Sequence, residues 1–226
     1  MMVIRVDSHR LAYMAVPKAA CSSVKAALCV LDPLQIQTRV DQLGQKQVHS
    51  IYPTKRFRRH RWHYLANHYR FTVVRDPLKR LLAVYTNRVE GLGILSHCRK
   101  IRRGRVHLPT NPDPDYFFQN LNAYIATSSD IKHHTLPTAL FTGTDWSAYS
   151  RVYRTSEMAE LEASLSRQTG RKVEIPHFNS SDRRLTLDDL SARTQRVLQV
   201  RLESEYAHLA PFFDNPFDTE RIRAVA

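Results

Sequence analysis

The chain has 226 residues, of which 34 are Lys or Arg and 21 are Asp or Glu, so that its formal net charge is +13. A hydrophobic fraction of 42% is enough for a packed core and excludes a disordered chain. No apolar run approaches the roughly 18 residues of a membrane span. We therefore expect a globular protein whose substrate or partner is anionic.

The N-terminus and the cysteines bear on the cellular compartment. The first 16 residues carry Asp7, His9 and Arg10 where a secretion signal would be apolar. The three cysteines leave one thiol over and show no Cys-x-x-Cys spacing, which argues against a disulfide scaffold and a structural zinc site. His133 and His134 are adjacent and lack the same-face spacing of helical zinc ligands. We expect a soluble, cytoplasmic protein without a metal.

Two runs concentrate the positive charge. Residues 55–63 hold five Lys or Arg in nine positions, and residues 99–105 hold five in seven. One such run is as often a solvated surface, but two predict a surface that faces an anion. That anion could be nucleic acid, an acidic polysaccharide or a phosphorylated cofactor. Phe57 and Trp62 lie in the first run, where they could stack on bases or anchor a helix in the core.

The first predicted element is a short apolar run at residues 11–16, which is typical of a buried strand. Ser22 or Ser23 then opens a helix with the sequence SSVKAALCVL. Residues 32–54 have mixed polarity and are predicted to be rich in loops. The basic stretch at residues 55–66 is predicted to be helical.

A second strand is predicted at residues 71–74, and Pro77 follows as a favourable first residue of an amphipathic helix. Residues 91–114 contain two Gly turns, a basic run and three prolines, which predict a mobile excursion. The remaining predicted elements are a strand at residues 151–154 and helices at about 116–125, 156–169 and 187–209.

The alternation of strands and helices predicts a three-layer α/β fold, with a central, mainly parallel sheet and helices on both faces. No internal repeat or linker is present, so we expect a single domain over residues 1–226 with a basic, loop-rich excursion at about 91–114. Ligands of such folds bind beyond the carboxyl ends of the strands. Two strand-to-helix junctions there carry cations, at residues 17–23 and 75–85.

The first junction, PKAACSS, has the features of an anion site. A helix N-terminus offers unpaired N–H groups and the positive end of its dipole, to which Lys18 adds a charge and Ser22 and Ser23 add hydroxyls. The intervening small residues let an anion approach the backbone. The spacing of the glycine-rich loop of nucleotide triphosphatases is absent. The alternative is an ordinary capped helix after a strand.

The second junction places Arg75 directly at the end of a buried strand, where a guanidinium can grip a phosphate with two parallel hydrogen bonds. Asp76 can cap the following helix and orient that arginine. The alternative is a structural Arg-Asp pair at the start of a helix.

Together, the two junctions resemble the cofactor motifs of the sulfotransferases, in particular the carbohydrate branch (sulfotransferase family 2 type) with the heparan 2-O- and chondroitin or dermatan enzymes. The first motif is matched by Pro17, Lys18, Cys21, Ser22 and Ser23. The second, Arg-Asp-Pro-x-x-Arg-Leu-x-Ser-x-Tyr, is matched by Arg75, Asp76, Pro77, Arg80, Leu81 and Tyr85. Weaker similarities at residues 134–137, 154–157 and 179–180 extend the resemblance over about residues 11–210.

The resemblance implies a P-loop-like fold and a PAPS-dependent sulfotransferase. Such an enzyme moves the sulfuryl group of 3′-phosphoadenosine 5′-phosphosulfate (PAPS) to a hydroxyl or amine of a carbohydrate or glycoconjugate and releases adenosine 3′,5′-bisphosphate. Lys18 and the amides after it would hold the phosphosulfate, and Arg75 the 3′-phosphate. The implied cofactor contacts are Pro17, Lys18, Ala19, Ala20, Cys21, Ser22, Ser23, Arg75 and Arg80. An acidic or neutral saccharide acceptor would be contacted by Arg58, Arg61, Arg102 and Arg103.

The acceptor must lose a proton, and a histidine suits that task because its pKa lies near neutrality. His49 precedes Arg75 by 26 residues, in the region where related enzymes place a catalytic histidine. His134 is the second candidate for the base. Cys21 also invites interpretation as a nucleophile activated by the helix end, but the resemblance gives it a packing role.

One position departs from the family pattern: the serine that usually helps to hold the 3′-phosphate is Ala83 here. Arg80, Thr86, Arg88 or a residue of a basic run could replace it, or the chain is a degenerate relative that no longer transfers. The basic runs also leave open a nucleic-acid-binding protein, and the α/β pattern leaves open a kinase of related fold. The membrane anchor of the Golgi enzymes is not seen, which fits a microbial-type relative or a chain from which an anchor was removed.

Overall fold

A four-stranded sheet organises the first part of the structure, a computed structural model that describes residues 3–34, 45–178 and 184–218. The strands lie in sequence order, with β1 antiparallel to β2 and the pairs β2–β3 and β3–β4 parallel. Their bounds are β1 Ile4–Val6, β2 Leu11–Met14, β3 Tyr69–Val74 and β4 Arg151–Arg154. The predicted α/β class with a mainly parallel central sheet is therefore confirmed.

Both faces of the sheet are covered, because successive side chains of a strand point to opposite sides. Tyr13 of β2 packs in a core with residues of the helices at 21–31 and 158–169. Met14, the next residue, packs instead with Trp62 and Tyr149. All four residues of β2 are buried, as expected for a strand between two layers.

The described residues form two compact units. The first contains the described residues up to 75 and those from 137 to 178, and the second contains residues 76–136 and 184–218. The expected single domain stays a prediction. The helices of the first unit are α1 Cys21–Leu31, α2 Gln45–Ile51, α3 Arg59–His63, α9 Ala139–Thr142 and α10 Met158–Thr169.

The second unit is helical and has its own apolar core. Its helices are α4 Pro77–Val84, α5 Arg99–Arg102, α6 Pro114–Gln119, α7 Leu121–Thr127, α8 Ser129–Thr135 and α11 Ala192–Leu209. A π-helical segment, Tyr85–Gly91, follows α4. Phe117, Phe118 and Tyr124 pack at the centre of this core. Within the described parts of the chain, no helix is long and apolar enough to cross a membrane.

Helix α4 begins as the sequence predicts. Asp76 is its N-cap and accepts a hydrogen bond from the backbone N–H of Lys79 at 2.8 Å, while Pro77 occupies the first turn. The N–H that proline lacks would have had no partner inside the helix, so proline is well suited to that position.

Several predicted bounds were wrong. A helix, α2, lies at the end of the region 32–54 that was predicted to be rich in loops. The basic stretch 55–66 is helical only at Arg59–His63, and the last helix begins at Ala192 rather than near residue 187. Strand β1 was missed because three residues give too short a pattern to detect.

The basic excursion is tied to the core of the second unit. The backbone oxygens of Pro109 and Pro112 accept hydrogen bonds from the hydroxyls of Tyr124 and Tyr85 at 3.0 and 2.9 Å. Leu95, which precedes the basic run, is fully buried. The arginines of the run are therefore carried on an anchored segment.

Candidate functional site

The loop between β2 and α1 holds the backbone in an uncommon conformation. Lys18 and Ala20 have positive φ angles of 66° and 53°. For residues with a Cβ this left-handed conformation costs about 1–2 kcal/mol each, and such strain concentrates at binding sites. Ala19 between them is fully buried. Ala19 therefore lies in the core, between two residues that hold the left-handed conformation.

The N-terminus of α1 has features that would favour an anion. In the described structure no side chain caps this end of the helix, and its first turn has no acidic residue. Ser22 is partly exposed, and Ser23 is buried, where its Oγ accepts the backbone N–H of Phe178 at 3.2 Å. The hydroxyl hydrogen of Ser23 is still available for donation. Unpaired N–H groups and the helix dipole both favour a phosphate or sulfate here.

Arg75 lies beside this loop because β2 and β3 are parallel neighbours, so that their carboxyl ends lie at one edge of the sheet. Its Nη1 donates to the backbone oxygen of Lys18 at 3.2 Å. The two residues that the sequence motifs singled out are thereby in contact within the first unit, through the backbone of Lys18. The strand-to-helix spacing had predicted this juxtaposition.

A chain of hydrogen bonds connects α1 to the segment at residues 49–54. The hydroxyl of Ser22 lies 2.9 Å from Nε2 of His49, and the other ring nitrogen, Nδ1, lies 3.0 Å from Nζ of Lys25. Lys25 also donates to Oγ1 of Thr54 at 2.7 Å. His49 is therefore held beside α1 by both of its ring nitrogens.

Lys25 is the residue of this site that sequence reasoning missed. It is fully buried, and burial lowers the pKa of its amine to about 8. The available signal was a lone lysine among the apolar residues of SSVKAALCVL, one turn after the serines. A buried lysine is rare unless it is paired, so a lysine on an apolar helix face marks a candidate site.

His134, the second candidate base, lies in the second unit with its acceptor nitrogen engaged. Nη2 of Arg88 lies 2.7 Å from Nε2 of His134. Because a guanidinium only donates, Nε2 must accept, and Nδ1 carries the proton and donates to the backbone oxygen of Asp130 at 2.9 Å. The ring is locked in one tautomer by neighbours on both sides.

Arg80 is buried in the second unit. Its Nη2 donates to Oε2 of Glu205 at 3.1 Å and to the backbone oxygen of Leu136 at 3.0 Å. Nε of Arg88 lies 3.5 Å from the carboxylate of Asp130, and the hydroxyl of Thr86 lies 3.5 Å from the backbone oxygen of Leu82 in α4. The residues considered as substitutes for a serine at position 83 therefore have partners within this unit.

In the basic run at residues 55–63, the lysine and arginine side chains are exposed and the aromatic side chains pack against the protein. Trp62 is buried and donates from Nε1 to the backbone oxygen of Ala148 at 2.9 Å. Its ring packs against Phe57 and Tyr149. Of the two uses left open for these aromatic residues, anchoring is the one observed. The candidate acceptor contacts are all exposed: Arg58, Arg61, Arg102 and Arg103.

Two predictions from the sequence are only partly covered by the described residues. Residues 179 and 180, which extend the family resemblance, lie outside them. Among the residues that are described, no group of three or more His, Cys, Asp or Glu could hold a metal ion. The expected absence of a metal stays a prediction.

The comparisons agree with the two motifs. A model of the sulfotransferase family matches residues 1–209. Carbohydrate sulfotransferase 14 of Danio rerio is 35% identical over 86 residues, which are 36% of this chain and 22% of that protein. The match thus spans about a fifth of the relative's length. No solved structure gives a significant match.

Proposed function

Because the chain belongs to the sulfotransferase family, we propose that it transfers a sulfuryl group from PAPS to a hydroxyl or amine of a carbohydrate or glycoconjugate. The observation that carries this proposal is the juxtaposition of Lys18, Arg75 and the open N-terminus of α1 at one edge of the sheet. The saccharide acceptor is inferred from the similarity to a carbohydrate sulfotransferase and from the exposed basic runs.

The residues of the loop fit a phosphosulfate group. The charge of Lys18, the N–H groups of the first turn of α1 and the hydroxyls of Ser22 and Ser23 would all interact favourably with it. Arg75, whose guanidinium is partly exposed, would hold the 3′-phosphate. Bound PAPS supplies the sulfuryl group and a phosphate that leaves with the electron pair of the broken sulfur–oxygen bond.

His49 is the proposed general base. It takes the proton of the acceptor hydroxyl at Nε2, the nitrogen that faces Ser22. His134 is less suited to this role, since Arg88 donates to its Nε2. Lys18 stabilises the negative charge that develops on the leaving phosphate. Arg80 has buried partners, and we place it in the packing of the second unit rather than at the cofactor.

Transfer of radiolabelled sulfate from PAPS to a panel of chondroitin, dermatan, desulfated heparan and neutral oligosaccharides tests the proposal. The wild type should label at least one acceptor. His49→Gln should lower the rate by about 10²–10⁴-fold while calorimetry still detects adenosine 3′,5′-bisphosphate. His134→Gln is the matched control and should retain most of the rate.

Each negative result has a separate meaning. Binding of the bisphosphate without transfer to any acceptor would support a degenerate relative that binds but no longer reacts. Failure of the folded protein to bind the bisphosphate would contradict the proposed function. Salt-sensitive binding of nucleic acid in its place would then favour a nucleic-acid-binding protein.

A further inference from the structure

The bonds around His49 constrain where its ring proton lies. A neutral imidazole has one N–H donor and one acceptor nitrogen. His49 contacts Ser22, whose hydroxyl can donate or accept a hydrogen bond. It also contacts Lys25, whose charge decides whether its amine can accept one. An ammonium has three donors and no acceptor, so it forces Nδ1 to accept and leaves the proton on Nε2. A neutral amine has a lone pair that can accept a hydrogen bond from Nδ1–H.

Burial disfavours the charged form of Lys25 and lowers the pKa of its amine to about 8. Lys25 is fully buried, and its amine contacts the ring of His49 and the hydroxyl of Thr54. Among the described residues, the titratable groups that interact with its amine are Cys21 and Cys29 on its own helix and His49 on α2. Burial raises the pKa of the Cys29 thiol to about 11, so it stays neutral near pH 8.

Asp32 is a more distant acidic group among the described residues. The carboxylate of Asp32, at the end of α1, accepts hydrogen bonds from the hydroxyl of Tyr52 at 2.6 Å and from the backbone N–H of Leu34 at 3.0 Å. Tyr13 of β2 interacts with Cys21, and burial raises the pKa of Tyr13 well above its usual value. The hydrogen bonds of Asp32 are thus directed to groups other than the amine of Lys25.

We infer that Lys25 is a positioning residue that sets the tautomer of His49. As the neutral amine, Lys25 accepts a hydrogen bond from Nδ1–H, and Nε2 is left without a proton. As the ammonium, Lys25 donates a hydrogen bond to Nδ1, and the ring proton lies on Nε2. The inference rests on the proposed function in giving His49 the role of base. When the ammonium loses its proton to solvent, the ring proton moves from Nε2 to Nδ1, and no other group changes its charge.

The geometry accommodates both states. The neutral amine can accept a hydrogen bond from Nδ1 and still donate one to Oγ1 of Thr54. The hydroxyl of Ser22 accepts from Nε2 when that nitrogen carries the proton and donates to it when it does not. Because burial lowers the pKa of Lys25 to about 8, the change falls in a range where the protein can be measured. Only the high-pH tautomer has an electron pair at Nε2 that can take up an acceptor proton.

Nitrogen NMR of histidine-labelled protein tests this inference without any activity measurement, so it stands apart from the proposed function. The signals of His49 are assigned by their loss in His49→Gln. In the wild type, the protonated nitrogen should change from Nε2 to Nδ1 between about pH 6.5 and about pH 9.5, with a midpoint near pH 8. Lys25→Met should abolish that change. A wild-type ring that keeps one tautomer throughout would overturn the inference, as would a change that persists in Lys25→Met.

Thr54→Val provides a second test in case Lys25→Met does not fold. The hydroxyl of Thr54 accepts from Lys25 and stabilises the ammonium more than the amine, because hydrogen bonds to charged groups are the stronger ones. Removing it should move the midpoint of the tautomer change to lower pH. A midpoint that stays where it is would contradict the proposed coupling.

Discussion

Arg75 donates a hydrogen bond to the backbone oxygen of Lys18 at 3.2 Å, across 57 positions of the chain. The bond joins the first residue after β3 to the loop after β2, two segments that leave the sheet at the same edge. It also restrains a loop in which Lys18 has a positive φ angle. The residue proposed to hold the 3′-phosphate thus also braces the loop proposed to hold the phosphosulfate.

Replacement of Arg75 by Met should weaken binding of adenosine 3′,5′-bisphosphate by roughly 10- to 100-fold, since a hydrogen bond to a charged group contributes about 1.5–3 kcal/mol. Isothermal titration calorimetry measures the effect. Arg151→Met is the matched control, because Arg151 begins β4 at the opposite edge of the sheet and is exposed. Equal affinity in the two variants would exclude Arg75 from the cofactor site.

Reversal of charge in the basic runs should weaken binding of the saccharide acceptor and leave cofactor binding unchanged. Arg58→Glu with Arg61→Glu, and separately Arg102→Glu with Arg103→Glu, should each raise the KM for an acidic saccharide by roughly tenfold, or about 1.4 kcal/mol. Their kcat and affinity for the bisphosphate should not change. Steady-state kinetics with varied acceptor give both parameters.

The matched control for these reversals is Arg167→Glu with Arg171→Glu, which changes the same charge at exposed positions outside both runs. An equal rise of KM in the control would mean that only net charge matters. Loss of bisphosphate binding in either test variant would move that run to the cofactor site.

The buried pair Arg80–Glu205 should be a stability determinant. Its side chains are 5% and 9% exposed, and Arg80→Met leaves the carboxylate of Glu205 buried without that partner. We expect a loss of about 3–5 kcal/mol in the free energy of unfolding, measured with urea. Adding Glu205→Leu should restore much of it. Arg151→Met breaks the exposed pair with Glu160 and should cost less than about 1 kcal/mol.

Gly143 should tolerate no side chain. Its φ is 74° and its ψ is −172°, a region open essentially only to glycine, and an added Cβ would lie 2.6 Å from Cε1 of Phe57. Gly170 also has a positive φ, 67°, but a Cβ there would meet no described atom within 4 Å. Gly143→Ala should therefore lower the free energy of unfolding by about 1–3 kcal/mol more than Gly170→Ala. Equal effects of the two variants would contradict the prediction, because neither the backbone conformation of Gly143 nor the contact with Phe57 would then add a cost.

Stability should rise with pH through Lys25. Its pKa is about 8 in the folded protein and 10.5 ordinarily, so between these values the unfolded chain binds a proton that the folded chain does not. The slope of stability with pH is then positive. Between about pH 7.5 and about pH 9.5 the wild type should gain about 2 kcal/mol relative to Lys25→Met, measured by urea unfolding at each pH. A constant difference would show that Lys25 has an ordinary pKa.

The sequence by itself determined the elements whose signals are local. Apolar runs predicted β2 and β3, the short segment RVYR predicted β4, and Asp76 with Pro77 predicted the start of α4. The two cationic junctions followed from the same signals, since parallel strands place their carboxyl ends together. The family resemblance rested on these junctions, and a match of the sulfotransferase family over residues 1–209 confirms it.

Only the tertiary structure decided which side chains meet. His49 and Lys25 are 24 positions apart, and the short α2 that carries His49 lies in a stretch whose mixed polarity predicts no helix. Arg80 donates a hydrogen bond to Glu205, which is 125 positions away in the chain, so that an arginine of the second motif is buried in the second unit. Periodicity reports which face of an element is buried, but the partner of a buried polar group depends on packing between elements that are remote in sequence.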